Sequence, residues 1–319
     1  MSGRDAMGRV LVTGGCGFIG TNLVERLLKD GHKVAVLDVA ATEGLTDWRG
    51  VAFFRGDMGS ADVLSSALEG VEVVFHLAWS TLPKTSNEDP MFDVGSNVGG
   101  TIKLLQACVA RGVRKVVFIS SGGTVYGIPA TVPIGEGSAI EPVNSYGITK
   151  YAVEKYLGLF RHLYGLDYLV VRPSNPYGPH QNPLGQVGTV AVFMYRTLAG
   201  IPISIWGDGK VVRDYLFIDD LVDAMVRAAH KSDAGYRVFN VGSGEGMAIM
   251  GLLDMVKSVA GREPVVVFEP ARALDVPVNV LDNTRARTEL LWSPSTGLRE
   301  GLEMTCEWMK GWLASKQGG

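Results

Sequence analysis

The stretch "RVLVTGGCGFIGTNLVERLLKD" (9–30) constrains the chain more than any other. An apolar run suited to a buried strand passes directly into Gly14, Gly17 and Gly20, spaced GxxGxxG, and then into a helical pattern from about Phe18 to Asp30. Glycines let a backbone come close to a pyrophosphate, while a helix N-terminus offers free N–H donors and a favourable dipole. Such a turn is weak evidence alone. Here a carboxylate, Asp38, ends the next strand "KVAVLD" eighteen residues beyond Gly20, close to the separation of a ribose-binding acid. It would accept from both ribose hydroxyls and repel a 2′-phosphate. No Lys or Arg follows in "DVAATEG", so NAD is expected rather than NADP. The duller reading of Asp38 is a loop-starting aspartate.

The pattern repeats along the first half. Apolar strands at "VAFFRGD", "VEVVFHLA", "KVVFISS" and "DYLVVRPSN" alternate with helices through "ADVLSSALEG", from about Pro90 to Arg111, and from near Ser145. Uniformly apolar strands alternating with helices predict an α/β fold, a doubly wound parallel sheet buried on both faces. After about Pro176 the chain turns rich in Gly, Pro and Asn ("YGPHQNPLGQVG"), a long loop of the kind that carries function. The rest mixes short strands ("ISIWG", "YRVFNVG", "PVVVFE") with helices. The expected division is 7–176 as an NAD-binding domain, to which a stretch of about 213–243 returns, and 177–319 as a smaller mixed α/β substrate-binding lobe.

Composition removes other classes. A net charge of −3 lacks the basic excess of nucleic-acid binders. No apolar run reaches the roughly 20 residues that span a bilayer, and no signal-peptide core precedes the first strand. Cys16, Cys108 and Cys306 form no CxxC pair, which fits a reducing cytoplasm. Without an HExxH or a tight Cys/His set, no metal is expected.

Tyr146 and Lys150, in "YGITK", stand at i and i+4 on one helix face. A free phenol, with a pKa of about 10, is a poor base at neutral pH. A neighbouring ammonium and a cationic nicotinamide favour the phenolate. The pair would then remove a hydroxyl proton while hydride leaves the carbon. YxxxK by itself is usually a solvated helix face; downstream of the glycine loop and a strand ending in Ser-Ser, the functional reading prevails.

With these motifs joined by "HLAW", "SSGGTVYG", "RPSNPYGP", "VRDYLFIDDL" and "FNVGSGEG", the chain resembles the extended short-chain dehydrogenase/reductase superfamily. Within it, the pattern is that of the NAD-dependent nucleotide-sugar epimerase/dehydratase family, nearest to UDP-glucose 4-epimerase-like enzymes. The resemblance implies that Tyr146 is the base and Lys150 holds the nicotinamide ribose. It places Phe18, Ile19, Met58, Leu77, Ala78 and Pro173 beside NAD. Asn175, Arg213 and Arg272 would bind the sugar-nucleotide diphosphate, and Asp275 its ribose. Asp57 has two readings, an acceptor for the adenine amino group or a helix N-cap. Trp206 likewise has two, beside the base or in the core. Thr189 falls near the position that limits bulk around C2, and "GSGEG" is a strand-to-helix turn rather than a second phosphate loop. A homodimer through a four-helix bundle of the helices near 90–111 and 145–164 is also implied.

Two departures sharpen the reaction. Close relatives place a Ser or Thr where Gly122 stands, so the hydroxyl beside the substrate oxygen must come from Thr124, Ser121 or a water. Related 4,6-dehydratases carry an Asp-Glu pair at the positions of Gly123 and Thr124, and UDP-glucuronate decarboxylases a Glu at Thr124. Without those acids, elimination and decarboxylation are disfavoured. The expected activity is C4 epimerisation of UDP-glucose/UDP-galactose or their N-acetylated forms through a transient 4-keto sugar. A sugar-acid epimerase is opposed by the arginine-free "PHQNPLG", an NADPH-dependent reductase by Asp38, and a non-catalytic NAD sensor by the intact Tyr146 and Lys150.

Overall fold

A computed structural model describes residues 7–40, 48–185, 187–232, 235–271 and 276–317. The first half runs β1 (Arg9–Thr13), α1 (Phe18–Lys29), β2 (Val34–Asp38), β3 (Ala52–Arg55), α2 (Ala61–Ala67) and β4 (Val71–His76). It continues through α3 (Pro90–Asp93), α4 (Gly100–Ala110), β5 (Lys115–Ile119), α5 (Ser145–Tyr164) and β6 (Asp167–Pro173). Then come β7 (Asn175–Tyr177), α6 (Thr189–Ala199), β8 (Ile203–Trp206), β9 (Val212–Phe217), α7 (Ile218–His230) and β10 (Val238–Val241). The last elements are β11 (Gly246–Ala248), α8 (Ile249–Ala260), β12 (Val266–Glu269), β13 (Val278–Asn279), α9 (Thr284–Glu289) and α10 (Leu298–Gln317).

Period-two alternation explains the main sheet. Val10, Val12, Val36, Phe75 and Val117 face a layer formed by Leu23 and Leu27 of α1 and Leu221 and Met225 of α7. Leu11, Leu37, Val74, Val116 and Phe118 face the other way, onto Leu64 of α2, Leu104 of α4, and Val153 and Leu157 of α5. Each such side chain taken fully from water contributes about 1.5–3 kcal/mol, so both helical layers are strongly held. The seven strands run in the order β10-β6-β5-β4-β1-β2-β3, all parallel. Strand order reverses between β1 and β4, which opens a crevice at their carboxyl ends.

The helix expected from Pro90 to Arg111 is not uniform. Asp89 caps α3 by accepting from the Phe92 N–H, Pro90 fills its first turn, and a π-helical stretch, Val94–Gly99, intervenes before α4. That wider turn carries Asn97, which is buried. In the second half, β9 is flanked by antiparallel β11 and by parallel β13 and β7, while β8 and β12 form a separate parallel pair. α10 packs on α6 and α8 behind this layer. Chain from the second half crosses back, since β10 pairs with β6 and α7 packs on β5, β6 and α1. The "GSGEG" segment is the turn between β10 and β11, just ahead of α8. Among the described residues, no helix is long and apolar enough to cross a membrane, and no cluster of His, Cys, Asp or Glu could hold a metal ion.

Candidate active site

At the crevice, Gly14 has φ +72°, and a Cβ there would lie 2.7 Å from the Ala78 nitrogen. A Cβ on Gly20 would lie 2.2 Å from the Gly14 carbonyl oxygen. Neither position has room for a side chain, which is how α1 presses onto the loop and presents its first N–H groups. Gly17 is the N-cap, and among the described residues no side chain caps this helix, leaving the N–H groups about Phe18 and Ile19 for an anion. Asp38 turns its carboxylate to the same loop: Oδ2 accepts from the Cys16 N–H at 2.9 Å and Oδ1 from the Ala40 N–H at 2.9 Å. Burial first, and then Asp38, push the Cys16 thiol up to about 12. These features fit NAD: a cradle that excludes side chains, an open helix N-terminus and an acid where a ribose would lie.

Asp57 does not cap α2. Its Oδ1 accepts from the Gly59 N–H at 2.5 Å, and Ser60 takes the cap position, so of its two readings the helix cap falls away. Met58 is buried beneath Gly100 of α4. On the other wall a buried polar chain fixes Leu77 and Ala78. Thr101 Oγ1 donates to the Asn97 carbonyl at 2.6 Å, so it accepts from His76 Nε2 at 2.8 Å. His76 Nδ1 is then the acceptor for Thr13 Oγ1 at 2.9 Å, which leaves that oxygen to accept from the Leu77 and Ala78 N–H groups at 3.3 Å each. Burial, with a smaller contribution from Lys150, lowers the His76 pKa to about 3 and keeps the ring neutral.

Asn144 caps α5 by accepting from the Gly147 N–H at 2.8 Å, which places Tyr146 in the first helical turn and Lys150 one turn later. Asp93 pins this end of α5. Its buried carboxylate accepts from Thr81 Oγ1 (2.6 Å), Asn97 Nδ2 (2.8 Å), Ser145 Oγ (2.6 Å) and Thr149 Oγ1 (3.0 Å). Lys150 is buried and donates to the Ile119 carbonyl at 2.8 Å. Burial drives its pKa well below the ordinary lysine value, against the pull of Glu154 and Asp93. Burial, then the Asp93 charge, drives the Tyr146 phenol upward. Burial therefore works against the charged form of both groups, and a cation beside the phenol is what would favour the phenolate.

The loop after β5 settles onto this helix end. Gly122 donates to the Pro173 carbonyl at 2.9 Å and its own carbonyl accepts from Asn279 Nδ2 at 3.2 Å. A Cβ on Gly122 would meet a Leu281 methyl at 2.5 Å. The space a Ser or Thr would need is filled by a leucine from beyond β13. Thr124 packs its backbone against Gly147, and its Oγ1 is buried without a hydrogen-bond partner among the described residues. Ser121 is half-buried, and its carbonyl accepts from the Val125 N–H at 3.3 Å. Beneath, Glu154 accepts from Ser120 Oγ (2.5 Å) and from Arg172 Nε (2.9 Å), and Arg172 also donates to the Tyr126 hydroxyl at 2.8 Å.

The second half supplies the facing wall. Asn175 opens β7 and donates to the Asp214 carbonyl at 3.0 Å; Thr189 opens α6. Arg213, on β9, donates to the Val212 and Val276 carbonyls at 2.9 and 2.7 Å. Trp206 ends β8 with 41% of its surface exposed, so the core-packing reading does not hold. Arg272 and Asp275 lie outside the described residues. Sequence reasoning missed Asp214. This buried carboxylate accepts from Ser174 Oγ (3.0 Å), Ser243 Oγ (2.7 Å), and the N–H groups of Ser243 (2.8 Å), Gly244 (3.2 Å) and Leu281 (3.2 Å). It joins β9 to the β6–β7 junction, the turn after β10 and the leucine against Gly122. Its signal, one Asp inside "VRDY", carries no hint of such distant partners.

A profile of the NAD dependent epimerase/dehydratase family matches residues 10–242. The chain belongs to this family. A UDP-glucose 4-epimerase of Mycolicibacterium smegmatis is 42% identical over 309 residues, 95% of this chain and 98% of that protein. The crystal structure of a UDP-glucose 4-epimerase of Thermotoga maritima with UDP-glucose is 38% identical, with a TM-score of 0.90 over 96% of this chain and 99% of that one. A Thermus thermophilus UDP-glucose 4-epimerase in complex with NAD is 36% identical, with a TM-score of 0.87 over 95% of this chain and 99% of that one. As a family member, the chain takes NAD, the cofactor expected from its sequence.

Proposed function

We propose that this family member interconverts the C4 epimers of a UDP-hexose, UDP-glucose with UDP-galactose or their N-acetylated forms. The observation that carries this reading is Tyr146 with Lys150 one turn behind it, at the helix end against which the loop of Thr124 packs, a loop whose stretch "SSGGTVYG" carries no acid. A dehydratase or decarboxylase needs a carboxyl group at Gly123 or Thr124. Tyr146, as phenolate, takes the 4-hydroxyl proton and later returns it. Thr124, whose hydroxyl has no partner among the described residues, bonds the same sugar oxygen in place of the group absent at Gly122. Lys150 supplies the positive charge that favours the phenolate and orients the nicotinamide ribose. The bound cofactor would supply reversible hydride chemistry at C4, with return to the opposite face and no net redox. Asn175, Arg213 and Arg272 clamp the diphosphate while the 4-keto sugar turns, with Asp275, Trp206 and Thr189 around the nucleoside and C2. In this reading 7–176, with the returning strand, is the cofactor half and 177–319 the sugar half.

We also read the chain as a cytoplasmic homodimer. Met91, Phe92 and Val94 from the α3 end, with Ile148, Leu159 and Leu163 on α5, are exposed large apolar side chains that a four-helix bundle with a second copy would cover.

The test is an NMR assay for C4 inversion with purified protein, no added NAD, and each UDP-hexose in turn. Inversion is expected, from retained NAD. No inversion of any of them, even with NAD added, would remove this reading.

A further inference from the structure

Lys150 has an unusual set of neighbours for a buried ammonium. Among the described residues no carboxylate lies within ion-pairing distance, and the lysine's hydrogen bond is to the Ile119 carbonyl, 2.8 Å away. Aromatic faces surround the rest. The nitrogen sits 3.7 Å from the Trp79 ring centroid, 4.9 Å from that of Phe118 and 5.5 Å from that of Tyr146. Trp79 also touches the other two rings, edge-on to Tyr146 at 5.9 Å and tilted to Phe118 at 6.0 Å. Indole is the best of the side-chain π-faces for a cation, and the attraction grows when the pair is shielded from water.

The indole is there at a disadvantage. Trp79 Nε1 is buried and has no hydrogen-bond partner among the described residues. An unpaired donor in the interior is penalised, whereas a phenyl or aliphatic side chain would fill this space without one. What the indole adds is its face toward Lys150.

We propose that Trp79 is a positioning residue of this enzyme, its indole face holding the Lys150 ammonium charged and in place beside Tyr146. The inference rests on the roles given above to Tyr146 and Lys150. The ionisable groups about Lys150 are few: His76 at the end of β4, Asp93 on α3, and Tyr146 and Glu154 on α5, with Arg172 of β6 paired to Glu154. His76 is neutral. Asp93 is held by four donors and Glu154 by Ser120 and Arg172, so neither turns to meet the ammonium.

The consequence has a definite sign. Without the indole face, the charged form of Lys150 loses stabilisation, so the lysine gives up its proton at lower pH and the alkaline limb of turnover moves down. With less positive charge beside it, Tyr146 ionises at higher pH, and the acid limb moves up. The active window narrows from both sides.

The experiment compares wild type, Trp79→Leu and Trp79→Phe, using the UDP-hexose that the inversion assay turns over. In Trp79→Leu, kcat should fall about tenfold with KM nearly unchanged, and each limb should move inward by roughly half to one pH unit. Trp79→Phe, which keeps a ring face, should recover most of both. Biosynthetic 5-fluorotryptophan weakens the π-face and keeps its shape, so it serves even where the leucine variant does not fold. It should narrow the window of the wild-type protein, which has six tryptophans, and leave that of Trp79→Phe, which retains the other five, unmoved. Unmoved limbs in fluorinated wild type, or a change confined to KM, would overturn the proposal. Tyr146→Phe separates the layers: if it is inactive while the limbs stay put, only Trp79 is removed, and if it stays active the base assignment falls first.

Discussion

The two walls of the cleft are built in different ways. On the wall proposed to hold the cofactor, Gly14, Gly17, Gly20 and Asp38 lie within 25 residues of one another and offer backbone N–H groups, a helix end and one carboxylate. On the wall proposed to hold the sugar nucleotide, Asn175, Thr189, Trp206 and Arg213 come from four separate elements. Buried Asp214 ties β9, which carries Arg213, to Ser174 beside Asn175 and to the turn after β10. The comparison teaches that a site made from one supersecondary unit is robust to change elsewhere. One made from scattered segments depends on its buried polar staples.

The largest effect should come where the walls meet. Tyr146→Phe is expected to lower kcat by about a hundred- to ten-thousandfold while NAD and sugar nucleotide still bind. Steady-state turnover with calorimetric binding checks this, and near-normal turnover would remove Tyr146 as the base. Asp214→Ala tests the scattered wall. It strands five donor contacts and should cost about 3 kcal/mol in denaturant melts while raising KM for the sugar nucleotide and sparing NAD retention. If NAD is lost as readily as sugar affinity, the two walls are not separable in this way. Asp38→Ala is the mirror experiment. NAD affinity should drop roughly tenfold to a hundredfold with stability little changed, as read by fluorescence titration of the cofactor-stripped protein.

Smaller effects probe the seam between the walls. Gly122→Ser forces Leu281 aside and should destabilise the protein by about 1–3 kcal/mol. Adding Leu281→Ala should recover part of that and let the new hydroxyl rescue a Thr124→Val enzyme. Failure to rescue would mean that Gly122 does not face the sugar oxygen. His76 gives a pH signature of the cofactor wall. Its pKa is about 3 in the fold against an ordinary 6.5, so between these values the unfolded chain binds more protons and stability is lost as pH falls. The slope contributed is at most about 1.4 kcal/mol per pH unit, and His76→Gln should flatten that part of a stability-against-pH curve.

Much of the first half of the fold was legible in the sequence. The strand, glycine turn, helix and Asp38 each carry a local pattern, and buried parallel strands announce themselves as apolar runs. Tyr146 and Lys150 were legible for the same reason, since one helical turn sets their relation. The break of the 90–111 helix into α3, a π turn and α4 was not, because the wide turn at Asn97 answers to Asp93, Thr101 and His76 on three different segments. Trp206 had two readings in the sequence, beside the base or in the core, and only its exposed position at the end of β8 removes the second.

The sequence by itself determined the doubly wound sheet, the glycine turn into α1 and the placing of Tyr146 and Lys150 one helical turn apart, because each is specified by residues close in the chain through backbone geometry and side-chain period. Tertiary structure alone decided why Gly122 is glycine, what stands around Lys150 and what Asp214 holds. Those answers are Leu281, Trp79 and a group of serines and amides. They meet these residues only across the folded core, where exclusion of water makes each polar or aromatic contact count.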